Sequence, residues 1–165
     1  MTAQTAFLSA LESAKQQPQA VFAALNAMTE SVVGVRLFTL MTFDSQTRGA
    51  CRIYSNRPDV YPVLGTKPVN ETYWSDMVLD RHETFVANSL EEIAEVFYDH
   101  ELIKSLGCES VINVPIIVAG QFKGTINCLH EAGYYTPERV QAAEALKLPG
   151  AVCLLLNELD AKGDL

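Results

Sequence analysis

The stretch SLGCESVINVPIIVAGQFKGTINCLH, residues 105–130, reads as two apolar β-strands meeting at Ala119-Gly120. β-Branched runs on either side of a glycine turn mark a hairpin. Asn113, Asn127 and His130 interrupt the apolar pattern. Burying an unpaired amide costs about 1–3 kcal/mol, so each asparagine faces solvent, meets a partner inside the protein or lines a pocket. Side chains alternate between the faces of a strand. Asn113 therefore shares a face with Val111 and Pro115, and Asn127 with Thr125 and Leu129, while His130 takes the other face beside Cys128. A two-residue loop would set the asparagines on opposite faces, and a three-residue loop would set them directly across from each other. Both registers stay open.

Upstream of the hairpin, Ser89 and Glu92 form a capping box that opens a helix from residue 90, with Leu90, Ile93, Ala94 and Phe97 as its buried stripe. TFVAN, residues 84–88, reads as a short strand. NETYWSDMVLDRHE, residues 70–83, predicts a short helix with Asn70 as N-cap and Trp74, Met77 and Val78 on one face. RPDVYPVLGTKP, residues 57–68, holds three prolines and a glycine; an unstructured connection of this length is usually functional. Residues 57–83 are thus expected to form a lid.

VRLFTLMTFD and ACRIYSN flank the turn-forming SQTRG and make a second hairpin. At the N-terminus, Phe7, Leu8 and Leu11, then Phe22, Leu25 and Met28, fall at helical spacing on either side of Pro18, which starts a second helix. Downstream, Thr136 as N-cap, Pro137 at the first helical position and Glu138 near the positive end open a long helix. Pro149 and Gly150 should kink or interrupt it.

The order helix, hairpin, lid, strand, helix, hairpin, helix predicts an α+β domain. Its antiparallel sheet of five or six strands carries the terminal helices on one face and the loop and helix lid over the other. The 165 residues suit one domain: residues 1–30 form the N-terminal helices, 32–133 the sheet with lid and middle helices, and 137–160 the C-terminal helix.

A formal net charge of -8 repels phosphate backbones and anionic lipid, which argues against nucleic-acid or membrane partners. The first residues show no basic region followed by an apolar run, so a cytoplasmic protein is expected. Cys51, Cys108, Cys128 and Cys153 include no CxxC pair and read as reduced core thiols, with Cys108 the one expected to be exposed. His82, His100 and His130 have no metal-ligand spacing, and no Ser, His and acid combination has a catalytic context. No metal and no cofactor is expected.

The 105–130 stretch resembles the GAF domain family, the small-molecule-sensing relatives of the PAS fold. The resemblance rests on Gly107, Val114-Pro115-Ile116, Gly120 and Gly124. LFTLMTFD, ending in Asp44, is similar to the family's first strand and AVCLLLNEL to its last helix, so the likeness spans roughly residues 20–160. It implies a pocket between sheet and lid and a regulatory role. Cyclic-nucleotide-binding members carry Asn-Lys and Asp-Glu pairs; here Ser89 follows Asn88, and His100 splits Asp99 from Glu101. The Cys-His pair of bilin-binding members is also missing.

Arg52 and Tyr54 share a side of their strand, and Tyr73 and Trp74 come from the lid helix. With Asn113, Asn127 and His130 they form the candidate ligand-binding set, suited to a small carboxylate or amide-bearing molecule. The expected function is a stand-alone sensor of a small polar or aromatic effector. The apolar FLSAL and AVCLLL suggest a homodimer through the terminal helices, with the signal leaving through an interface or a separate output protein. Two alternatives are a free methionine-(R)-sulfoxide reductase acting through Cys108, and an interaction module without ligand.

Overall fold

A computed structural model describes residues Met1–Leu165. In chain order it contains helices α1 (Ala3–Glu12) and α2 (Gln19–Val32), strands β1 (Leu37–Asp44), β2 (Gly49–Ser55) and β3 (Lys67–Pro68), and the short helix α3 (Tyr73–Ser75). A π-helical turn, Asp76–Asp80, continues α3. Then follow β4 (Phe85–Ala87), α4 (Leu90–Ala94), α5 (His100–Ser105), β5 (Ser110–Val118), β6 (Gln121–His130), α6 (Pro137–Glu144) and α7 (Lys147–Ala161). The strands make one six-stranded sheet in the order β3-β2-β1-β6-β5-β4, with every neighbouring pair antiparallel. No helix is long and apolar enough to cross a membrane.

The β5–β6 hairpin turns at Ala119 (φ 51°) and Gly120 (φ 76°), the two left-handed residues that a type I′ turn requires. This is the two-residue loop, yet Asn113 pairs directly with Asn127. A β-bulge reconciles the two: Ile117 pairs with Phe122 and Ile116 with Gly124, which leaves Lys123 as an extra residue. An inserted residue restores the register that a longer loop would have given. Pro115 is tolerated because β4 pairs with β5 only as far as Asn113; beyond that point β5 is an edge strand. At Gly124 a Cβ would lie 1.9 Å from the Met41 carbonyl oxygen, so only glycine lets β6 approach β1 there.

A second bulge lies between β1 and β2. Leu40 pairs with Tyr54 and Met41 with Arg52, so Ile53 is extra. The expectation that Arg52 and Tyr54 share a face is therefore overturned, because the bulge resets the alternation between them. Arg52 faces the lid. Tyr54 faces the helices, with its ring edge-on to Phe22 and Phe38.

One face of the sheet packs under α2, α6 and α7 in a core of 18 buried residues, including Phe22, Phe38, Leu40, Ile112, Val114 and Ile126. Helix α1 joins it through Phe7. The lid covers the other face, where a separate cluster of 11 buried residues includes Tyr61, Val78, Phe85, Ile93 and Val111.

Three helix readings change. Thr72, rather than Asn70, caps α3, in a capping box with Ser75. The helix expected from residue 90 is broken into α4 and α5; Ala94 is exposed and Val96 takes its place beside Ile93. The C-terminal helix breaks at Ala145-Leu146, ahead of Pro149. Pro149 thus falls in the first turn of α7, where its missing amide costs no hydrogen bond. Gly150 brings α7 onto the sheet; a Cβ there would stand 2.7 Å from Ile126 Cδ1.

Candidate functional site

Between the sheet and the lid lies a cavity of about 410 Å³, within the range of small-molecule sites. Its floor is the lid face of the four middle strands. Its roof is the 60–70 loop, and its far wall is Trp74 with residues 96–103.

The floor carries a row of hydrogen bonds. Trp74 Nε1 donates to Asn113 Oδ1 at 2.9 Å. Asn113 Nδ2 donates to Asn127 Oδ1 at 2.7 Å, and Asn127 Nδ2 donates to Thr39 Oγ1 at 3.0 Å. The row exists because Asn113 pairs with Asn127 and Asn127 with Thr39 across β5, β6 and β1, so the three side chains stand side by side. Asn113, Asn127 and Thr39 are 4–6% exposed. Each amide spends one of its two N–H groups on the row and keeps the other.

Arg52 stands on the opposite wall, two strands from Asn127 and so about 10 Å away along the sheet. Its Nη1 donates to the Pro62 carbonyl at 3.0 Å, and its guanidinium lies over the Tyr61 ring, 4.6 Å from the centroid. Arg52 makes no ion pair, and Nε is buried without a protein acceptor. Burial lowers its pKa, opposed by the nearby Tyr61 and Asp99, but a guanidinium stays charged at any physiological pH. Tyr61 in turn donates its hydroxyl to Asp99 Oδ2. Burial, and then that bond, raise the Tyr61 pKa.

The lid is fastened to the first hairpin. Leu64 N–H donates to the Arg52 carbonyl at 3.3 Å, Val69 N–H to the Arg48 carbonyl at 3.0 Å, and Cys51 Sγ to the Leu64 carbonyl at 2.8 Å. The Arg48 guanidinium joins Glu71 at 2.8 Å and Asp80 at 3.3 Å. These pairs are solvent-exposed and contribute little to stability; they hold α3 and the π-helical turn against the first hairpin.

Arg52, Trp74, Asn113 and Asn127 line the cavity and the other three candidates do not. Tyr54 is on the helix face because of the Ile53 bulge. Tyr73 is half exposed and packs outward on Phe85, 6.1 Å between centroids. His130 is on the helix side of β6, stacked on Tyr134 at 3.4 Å, as its alternation with Asn127 requires. Tyr61, Asp99 and Thr39, which bond to or pack on the candidate residues, are among the cavity residues that sequence reading missed. Thr39 was visible in principle, since it stands on the Met41 side of β1; the positions of Tyr61 and Asp99 depend on loop paths that carry no period.

Cys108, expected to be exposed, is fully buried in the lid-side cluster. Burial raises its thiol pKa, with Arg36 opposing. It does not line the cavity. Cys128 and Cys153 lie in the helix-side core, each pushed up to about 12 by burial.

The family model described as GAF domain matches residues 4–146. No curated protein matches the chain in sequence. Several solved structures are similar in fold. The GAF domain of a Coxiella burnetii phosphoenolpyruvate-protein phosphotransferase aligns with a TM-score of 0.71 at 14% identity, covering 100% of this chain and 98% of that one. Free methionine-R-sulfoxide reductase from Neisseria meningitidis, solved with its substrate, gives 0.70 at 11% identity over 96% and 89%. A GAF domain/HD domain protein from Geobacter sulfurreducens gives 0.69 at 13% identity over 90% and 97%.

Proposed function

The chain belongs to the GAF domain family, and from that premise we propose that it is a sensory module binding a small polar or aromatic effector between sheet and lid. The observation that carries this reading is the cavity of about 410 Å³ with a buried amide row at one end and an un-ion-paired guanidinium at the other. An interaction module without ligand needs no such space, and side chains would be free to fill it. A reductase needs a thiolate within reach of substrate; Cys108 lies outside the cavity and burial disfavours its ionised form.

Effector binding is proposed to order the lid and pass to the terminal helices through the shared sheet. On α7, Leu148, Leu155 and Leu159 are exposed and Val152 half-buried, at spacings of four, three and four residues that form one stripe. Leu8 of α1 is also exposed. This stripe supports the homodimer, with a separate output protein as its reader.

Native mass spectrometry of the freshly purified chain, followed by a thermal-shift screen of small carboxylates, amides and aromatics, tests the reading. A retained adduct, or a rise in melting temperature that tracks ligand concentration, supports it; ligand at 100 Kd adds about 2.7 kcal/mol. A dimer that carries no adduct and that no compound stabilises would favour the interaction module.

A further inference from the structure

We propose that the cavity receives a small monocarboxylate with an apolar body, its carboxylate paired with Arg52 and its far end bonded to the Asn113-Asn127-Thr39 row. The inference rests on the sensor reading above and names the chemical class of its effector.

The charge inventory comes first. The protein carries a net charge of -8, yet the acidic and basic side chains at the cavity wall are Arg52, Lys67 and Asp99 alone. Two cations against one carboxylate give a local formal charge of +1. Asp99 already accepts the Tyr61 hydroxyl, and Lys67 is exposed on the rim. Arg52 feels the Asp99 carboxylate across the Tyr61 ring but makes no ion pair with it.

Its geometry selects the anion. Nη1 is committed to the Pro62 carbonyl and the ring of Tyr61 covers one face, so Nε and Nη2 remain. These two donors form the side of the guanidinium fork that binds a carboxylate through two parallel hydrogen bonds. Nε has no protein acceptor although it is buried, a state that costs free energy unless a ligand relieves it. A second carboxylate would find no second buried cation: the far end of the cavity is the neutral row, whose spare N–H groups suit a carbonyl, hydroxyl or ether oxygen. Between the two ends, Met41, Leu129 and Phe97 supply apolar wall.

The same arginine holds the lid. Pro62 and Tyr61 sit on it, and Tyr61 is tied to Asp99 at the start of α5. A carboxylate on the free edge of the guanidinium anchors the side chain on which the roof rests, so occupancy and lid order are coupled at one residue.

The test uses matched pairs of ligands and the single tryptophan of the chain, whose indole N–H ends the polar row. Benzoate, phenylacetate and hexanoate are titrated beside benzamide, phenylacetamide and hexanamide, read by Trp74 emission and by calorimetry, on wild type, Arg52→Met and Arg52→Lys. At least one acid is expected to bind about 10- to 100-fold more tightly than its amide. Arg52→Met should erase the preference, and Arg52→Lys, which keeps the charge and loses the fork, should retain part of it. Amides that bind as well as acids, with Arg52→Met indifferent, would overturn the carboxylate assignment and leave the sensor cavity standing. No binding of any acid or amide to the folded wild type would overturn both.

Discussion

The two faces of the sheet are buried to similar depth and built from different chemistry. Under the helices, β1, β5 and β6 present Phe38, Leu40, Ile112, Val114, Ile116, Ile126 and Cys128, all at 0% exposure. Under the lid the same three strands present Thr39, Val111, Asn113, Thr125, Asn127 and Leu129, at 2–6%. Transfer from water favours the first set by about 1.5–3 kcal/mol for each large side chain. The second gains less and must pair every amide to avoid loss. A sheet held together by the first face can thus carry a polar second face, the one on which the cavity opens.

The largest break in this comparison is expected on the helix face. Phe38→Ala removes a fully buried ring that packs edge-on to Tyr54 at 5.9 Å and should cost about 3–5 kcal/mol in urea unfolding. A loss below about 1 kcal/mol would mean that this core carries less than the packing implies.

On the polar face, Asn127→Ala leaves the Asn113 amide without its acceptor and Thr39 without its donor, at a cost of about 1–3 kcal/mol. The double change Asn113→Leu/Asn127→Leu removes the amide–amide bond whole but leaves the Trp74 indole N–H and the Thr39 hydroxyl without their partners, so it should cost less than the sum of the two single changes. A double variant that loses the full sum would show that the two amides act independently rather than as one row.

The smallest effect concerns pH. Burial, with Arg36 and Arg139 nearby and Glu131 opposing, lowers the His130 pKa. Its folded value lies below its unfolded one, so the unfolded chain binds more protons in the interval between them. The stabilisation is present above the ordinary imidazole value of about 6.5 and is lost as pH falls through the folded value. His130→Gln should flatten the stability profile in that interval, and an unchanged slope would remove His130 from the account.

How much of this was legible in the sequence follows from what has a period. The hairpins, the lid position and the helix starts at Thr136 and Ser89 rest on alternation, proline and capping, and the structure has them. Alternation set Asn127 and His130 on opposite faces of their strand, but which face meets the cavity, and whether Asn113 shares it with Asn127, hung on the hairpin register that the sequence left open. What failed involved counting across a bulge. Ile53 separates Arg52 from Tyr54, and Lys123 sets the register of the second hairpin; neither residue looks unlike its neighbours, because a bulge is decided by the twist of the paired strands. The break after Ala94 and the π-helical turn at Asp76–Asp80 likewise answer to tertiary packing, which no local pattern records.

The sheet also divides the molecule kinetically. Helices of 14 and 15 residues, α2 and α7, close one side, whereas helices of three, five and six residues close the other, too short to persist apart from their tertiary contacts. The two cores are therefore expected to open as separate units. Amide exchange should report two regimes: residues of α2, α7 and the central strands exchanging only with global unfolding, and those of residues 57–106 through a sub-global opening that leaves the helix-side core intact. Such an opening would widen access to the cavity by melting the weaker half alone, with the helix-side core left in place.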